Sequence, residues 1–420
     1  MFNPLLSILL LSLASVSSPS LLQEGGRAAV TQVESNFRLD ALASPAGPGS
    51  SLPHLIHGAD GKVYLTWIES EGGNTGTLRL SVLADDGWGE PVDVFYAEDL
   101  FLNWADFPSV CVLENGVLLA HWLRRGETPQ GYFAEFSLSV DRGHHWTEPK
   151  TLHSDLSEVE HGFVSFVPID STSFGAIWLD GRKMLGKKHG VGEMALYFRT
   201  ITATGELGTE MVLDDRVCDC CQTSLVVAPG GDLIATYRDR SVQEVRDISM
   251  VRFDGKSWSD PKFVHEDGWL IAGCPVNGPR VAFVKDATAA VWFTGAGAEA
   301  GNVFVAFKGA LSTSFGFPIV VDEGHPMGRV DVVGLGDSIL VSWLEFVGES
   351  GSEWRIRRLW EDGRKGDFAT IGEVPSSRSS GYLRMAKNGA DTILAWTAGD
   401  IELRVETAKL RVGSTENEKK

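Results

Sequence analysis

Basic residues are in short supply: 37 Lys and Arg stand against 56 Asp and Glu, a formal net charge of −19. That deficit excludes nucleic acid and an anionic membrane as the main partner, because both are bound through clustered positive charge. Long apolar runs are missing too. The one uninterrupted stretch, residues 5–16 (LLSILLLSLASV), is too short to span a bilayer. With SSPS behind it, it reads as a secretory signal lacking a basic n-region, cleaved near Ser18 to Ser20. No later segment is long and apolar enough to insert in a membrane, so an exported protein is expected, periplasmic or extracellular, and acting as a monomer. Helical periodicity is essentially absent. Cysteines number five, and three of them crowd into VCDCC at 217–221.

What the chain does have is a repeat. After a polar linker (21–35), apolar runs recur in units of about fifty residues. Each unit has a first strand, a turn with Gly or Asp, a second strand ending near Trp, a third strand and a short fourth. PHLIHGADGKVYLTWIE, TLRLSVL and GWGEPVDVF form the first unit. Seven such units predict an all-β, seven-bladed β-propeller over 36–411, or six blades if one unit is misdrawn. A polar, disordered tail (412–420) is expected after it. The seventh unit lacks its last strand, which Asn36 to Leu42 can supply, closing the ring and removing an exposed edge. The repeated Trp67, Trp122, Trp178, Trp292, Trp343 and Trp396 are expected between blades.

Propeller geometry puts the turn into each first strand and the turn out of each second strand on one face. In this chain those turns hold most of the unusual polar residues. A pocket there is expected from Asn103, Asp106, His121, Glu160, His161, Asp180, Arg182, Arg238, Asp239, Arg240, Arg329, Asp331 and Glu345. Each has a bland alternative, an ion pair to the next blade. Trp104, Trp269 and Trp292 are candidates to stack on a sugar, with packing the alternative.

Ser139-Val140-Asp141-Arg142-Gly143-His144-His145-Trp146 fits the Asp-box pattern S-x-D-x-G-x-x-W, and 85–91 and 253–261 are degenerate copies. In these residues the chain resembles the sialidase-like, BNR-repeat propellers. The resemblance implies a structural role for the box, on the face away from the site. It also implies three arginines on a substrate carboxylate, a Tyr–Glu nucleophile pair and an Asp acid. Arg182, Arg238 or Arg240, and Arg329 are the matching arginines. Asp106 or Asp180 would be the acid, Glu160, Glu244 or Glu345 the base, and Tyr237 or Tyr382 the phenol. The early Arg-Ile-Pro-type motif of that family is absent. The implied function is recognition or cleavage of an acidic saccharide, with no cofactor required. A propeller that binds a ligand or partner without catalysis is the alternative.

Cysteines point to a third class. Cys218, Cys220 and Cys221 enter the fourth unit, and Cys274 enters the fifth at the equivalent turn. The four are therefore expected close together, as a disulfide from Cys274 to one of the others or as a thiolate metal site, with His121 or His161 as further ligands. A disulfide is favoured in an exported chain. Cys111, within a first strand, is expected to be a buried free thiol.

Overall fold

The computed structural model describes residues 36–187, 192–297 and 299–413. The expected signal (1–20) and linker (21–35) lie outside these residues, as does 414–420 of the expected tail. Seven antiparallel sheets follow one another along the chain, and they are the blades of a seven-bladed β-propeller. The first strands of the blades are Ser50–His57, Ser109–Val112, His161–Pro168, Ser224–Val227, Arg280–Val284, Pro326–Gly334 and Arg384–Asn388. Blade 1 carries an additional two-residue strand, Gly87–Trp88, which pairs with one end of its third strand, Thr75–Ala84, while the outer strand Val92–Ala97 pairs with the other.

Phe37–Leu42 pairs antiparallel with Arg404–Val412, from Phe37 opposite Val412 to Leu42 opposite Thr407. This makes the N-terminal strand the outer strand of blade 7 and closes the ring. The last strand runs to Val412, and the Gly413 amide still donates to the Asn36 carbonyl at 2.8 Å, so the ordered chain extends two residues past the expected boundary.

Both faces of each blade are apolar because each packs between two neighbours. Seven buried clusters result, one for every adjacent pair of blades. The second-strand tryptophans each fill the junction with the preceding blade; Trp67, Trp178, Trp292 and Trp343 are fully buried. In blade 4 Tyr237 takes that place, its hydroxyl donating to Asp214 at 2.7 Å.

Tryptophan brings an N–H that must be satisfied in the core. The chain solves this with a carboxylate two residues on. The indoles of Trp67, Trp178 and Trp343 donate to Glu69, Asp180 and Glu345 at 3.0, 2.9 and 2.7 Å. Each carboxylate is also met by an arginine: Arg79 at 3.2 Å, Arg182 at 2.7 Å and Arg355 at 3.6 Å.

The turn at 139–146 joins the third and fourth strands of blade 2. Ser139 Oγ accepts from the Gly143 amide at 2.8 Å, and Asp141 accepts from the His145 amide at 2.9 Å. Gly143 sits at φ +90°, where a Cβ would be strained, and its carbonyl accepts from the Trp146 indole at 3.0 Å.

Candidate functional site

The segment between blades 1 and 2 does not stay at its own rim. Residues 103–107 lie across the channel and touch four other blades. Asn103 holds the turn, its Oδ1 accepting from the Ala105 amide at 3.0 Å. The Trp104 ring lies 4.5 Å from the Arg329 guanidinium of blade 6. The Ala105 carbonyl accepts from Gln222 of blade 4 at 2.7 Å, and Gln222 in turn accepts from the Gly278 amide at 3.0 Å. Asp106 accepts from the Phe163 amide of blade 3 at 2.9 Å, and Phe107 lies against Arg384 of blade 7 at 4.0 Å.

Against this segment lies a cavity of about 210 Å³, to which blades 1 to 6 contribute. Its polar lining includes His54, Asp106, Ser109, Gln222, Arg280 and Asp331. The charges around it are poorly matched. Arg384 is 2% exposed, and its Nε, Nη1 and Nη2 all lack a hydrogen-bond partner. Among the described residues no other arginine has all three nitrogens buried and unmatched. It is held between the rings of Phe107 and Tyr382, at 4.0 and 4.8 Å. Burial, then the nearby Arg280, lowers its pKa to about 9, against the pull of Asp331. Asp331 sits 3.7 Å from Arg280 and accepts from the Met385 amide at 2.9 Å. His54 Nδ1, Ser109 Oγ and both ring nitrogens of His121 are also buried without partners. Burial, followed by Arg384 and Arg280, pushes His54 well below its ordinary pKa, and burial takes His121 to about 3.

Asp106, like Asp331, is a carboxylate of the cavity lining. Burial raises it to about 7, the Phe163 amide opposes this, and the charge of Glu160 adds to it. A buried carboxyl that titrates near neutrality beside a second carboxylate is equipped to give or take a proton.

The other expected residues divide differently. Arg182, Arg238, Arg240 and Arg329 do not converge on one pocket, contrary to the sequence expectation. Each is consumed where it stands. Arg182 makes a two-pronged contact with Asp180, both bonds 2.7 Å, and lies over Tyr197. Arg238 donates to the carbonyls of Asn277, Arg246 and Phe293 at 2.9, 2.6 and 2.6 Å. Arg240 pairs with Glu244 at 2.8 Å. Arg329 reaches the carbonyls of Gly381 and Ser377 at 3.1 and 3.3 Å. Asp180 and Glu345 are the carboxylates already bound to tryptophan and arginine. Burial works against the charge of Asp180, but Arg182, His161 and Trp178 outweigh it and keep it below the usual range. His161 stacks on His153 at 3.8 Å and contacts Asp155 at 3.0 Å. Of the tryptophans, Trp269 packs on Arg238 and Trp292 donates to Asp267. Arg280, Arg384 and His54 are the residues that reading turns by polarity passed over. Arg280 and Arg384 are each the last residue of a same-face turn, GCPVNGPR and SSGYLR, and that position was the available signal.

The four cysteines do gather, but not as the favoured disulfide. All five cysteines are free thiols, and the Cys218 and Cys220 sulfurs stand 3.9 Å apart, well outside bonding distance. His121 and His161 are not part of the cluster. Burial disfavours the Cys218 thiolate, yet hydrogen bonds from Cys220 and Cys221 and the charge of Arg246 hold its pKa well below the ordinary range. Cys111 is buried in blade 2, and its thiol is raised to about 12 by burial.

No protein-family model matches the chain, and no curated protein matches it either. Solved structures do. An ulvan lyase of a polysaccharide lyase family, PL25, solved bound to -[GlcA(1-4)Rha3S]-, aligns with TM-score 0.56 at 11% identity over 91% of this chain and 96% of its own. The polysaccharide lyase Uly1 aligns with TM-score 0.53 at 10% identity over 84% and 88%. A Trypanosoma rangeli sialidase reaches 0.48 at 12% identity; this chain covers 60% of its length. At such identities the likeness to the two lyases is one of fold alone.

Proposed function

We propose that the channel cavity takes the acidic group of a saccharide. The observation that carries this reading is Arg384. Arg384 is not itself a lining residue but lies within electrostatic reach of two that are, Arg280 and Asp331. A guanidinium buried with every nitrogen unmatched is destabilising by several kcal/mol, and a carboxylate or sulfate reaching it from the cavity would supply the missing acceptors. Arg280 adds a second cation and His54 a neutral imidazole on the cavity wall. A volume near 210 Å³ suits one sugar unit rather than a length of chain. The acidic ligand named for the ulvan lyase belongs to the same chemical class.

Asp106 is the group that gives or takes a proton if the bound saccharide is cleaved, with Glu160 as the second carboxylate. Retention without cleavage is the competing reading. Export through the N-terminal signal is part of the proposal, since acidic saccharides of this kind lie outside the cell.

Calorimetric titration with uronate-bearing, sulfated and neutral oligosaccharides tests the reading. Acidic ligands should bind and neutral analogues should not, and Arg384→Met should weaken binding at least about tenfold, the loss of one charge-assisted contact. Equal binding of neutral and acidic ligands, or an unaffected Arg384→Met, would rule the reading out. Product analysis of the same mixtures, for unsaturated uronates and for new reducing ends, separates cleavage from retention.

A further inference from the structure

The cysteine cluster lies outside this cavity and has its own geometry. Cys218, Cys220 and Cys221 place their sulfurs all within 4.8 Å of one another, with Cys218 and Cys220 at 3.9 Å. Thiolates about 2.3 Å from one ion stand roughly 3.8–4.0 Å apart, whether tetrahedral or trigonal. Cys218 and Cys221 are buried, Cys220 is half-buried and Cys274 is exposed. Cys274, from the neighbouring turn, forms a second close group with Cys220 and Asp219. Free thiols of this kind have little reason to converge as a packing device, because a sulfhydryl is a weak hydrogen-bond partner.

The surroundings are those of thiolates. Arg246, 3% exposed, directs Nη1 at the Cys218 sulfur at 3.4 Å. The same arginine is fixed by Asp219 at 3.2 Å and by Glu244 at 2.9 Å. Arg240 lies 4.0 Å from Asp219. A buried guanidinium beside sulfur favours the deprotonated form that a metal requires.

The geometry points to a trithiolate site for a thiophilic metal ion, zinc(II) or copper(I), on Cys218, Cys220 and Cys221, with Cys274 a fourth arm from the next blade. Binding forms metal–sulfur bonds and releases the thiol protons, with no change of oxidation state. Soft sulfur donors select these ions over calcium or magnesium. Such an ion would also brace the cavity. Gln222, next in sequence to Cys221, is the residue that ties the Ala105 carbonyl to the Gly278 amide. The site stands on its own residues and does not depend on the saccharide reading.

The test uses the full chain, purified reduced and without oxygen. Zinc and copper(I) are titrated separately against competing chromophoric chelators, and bound metal is counted by elemental analysis. One ion per chain is expected, with a sulfur-to-metal charge-transfer band when copper(I) or a cadmium substitute is added. Cys220→Ser should lower affinity at least about 100-fold, the loss of one of three soft ligands. Cys274→Ser should lower it less, because three sulfurs remain. Cys111→Ser, remote from the cluster, should leave binding unchanged, and thermal unfolding of every variant shows that the fold persists. Reduced protein that takes up neither ion would overturn the proposal. So would binding that survives both Cys218→Ser and Cys221→Ser. Zinc without copper(I), or the reverse, identifies which ion the site takes.

Discussion

Asp106 and Asp180 are both buried aspartates at the same face of the propeller, and their surroundings could hardly differ more. Asp180 receives an indole N–H and a two-pronged arginine, so its charge is matched on every side. Asp106 has a backbone amide and the repulsion of Glu160, and burial takes it up to about 7. The arginines divide in the same way. Arg238 donates to three carbonyls, whereas Arg384, equally buried, donates to none. Residue type and burial are the same across the two sets, and only the partners differ. Matched charges hold blades together; the unmatched ones lie in the lining of the channel cavity, as Asp106 does, or next to it, as Arg384 does.

The comparison breaks most visibly at Asp180. Asp180→Ala leaves the Trp178 indole without its acceptor and Arg182 without its principal counter-charge. Removing one partner from a buried pair costs about 3–5 kcal/mol. Denaturant unfolding of Asp180→Ala should show a loss of this size. A loss below about 1 kcal/mol would place Asp180 outside the structural set.

Arg384→Met should move stability in the opposite direction. The substitution removes a buried charge that has no partner and keeps an apolar side chain between Phe107 and Tyr382. Replacing even a buried ion pair by apolar volume is neutral or stabilising by about 1–4 kcal/mol, and Arg384 has no paired interaction to lose. The same unfolding measurement in the absence of ligand should therefore show a gain. A loss would mean that the guanidinium is matched in solution, and the two sets of arginines would merge.

Asp106→Asn sharpens the contrast through pH. The folded-state pKa, about 7, is raised above the ordinary 3.8, so the native state holds its proton more tightly than the unfolded chain does. The stability this contributes is fully present below about pH 4 and is lost as pH rises through 7. Asparagine abolishes that loss. The variant should match the wild type near pH 4 and exceed it by on the order of 4 kcal/mol above pH 8. A pH-independent difference would remove Asp106 from the channel set.

How much of this was legible in the sequence follows from the same distinction. The fold was, because blades repeat: the fifty-residue period, the second-strand tryptophans and a seventh unit short of one strand together require a closed ring. The anchoring role of Asp180 and Glu345 was also written locally, as Trp-x-Asp and Trp-x-Glu at 178–180 and 343–345. So was the gathering of the cysteines, since equivalent turns of adjacent blades are neighbours. The channel was not. Whether Arg329 or Arg384 is matched depends on carbonyls and rings delivered by other blades, and on a segment, 103–107, that crosses the channel. Neither leaves a local pattern. Nor does spacing tell a bonded pair of sulfurs from three close thiols with a fourth beside them, because both need the same two turns side by side.

Glu160 offers the smallest effect and the finest test of the channel. Its charge raises Asp106, but burial contributes more, and the Phe163 amide opposes both. Glu160→Gln removes a negative charge and preserves the shape of the side chain. Ionised Asp106 then has one repulsion fewer, so its pKa falls toward the ordinary range by less than burial raises it. The pH at which the decline in stability levels off, set by the folded-state pKa, should accordingly shift downward in Glu160→Gln, while Asp106→Asn combined with Glu160→Gln should show no such shift. The measurement is the difference in unfolding free energy between each protein and its Asp106→Asn counterpart, across pH 4 to 9. A downward shift that vanishes in the double variant places the two carboxylates in one electrostatic unit, as proton transfer between a substrate and either of them requires. An unmoved midpoint would leave Asp106 perturbed by burial alone, and Glu160 would belong with the matched charges of the rim.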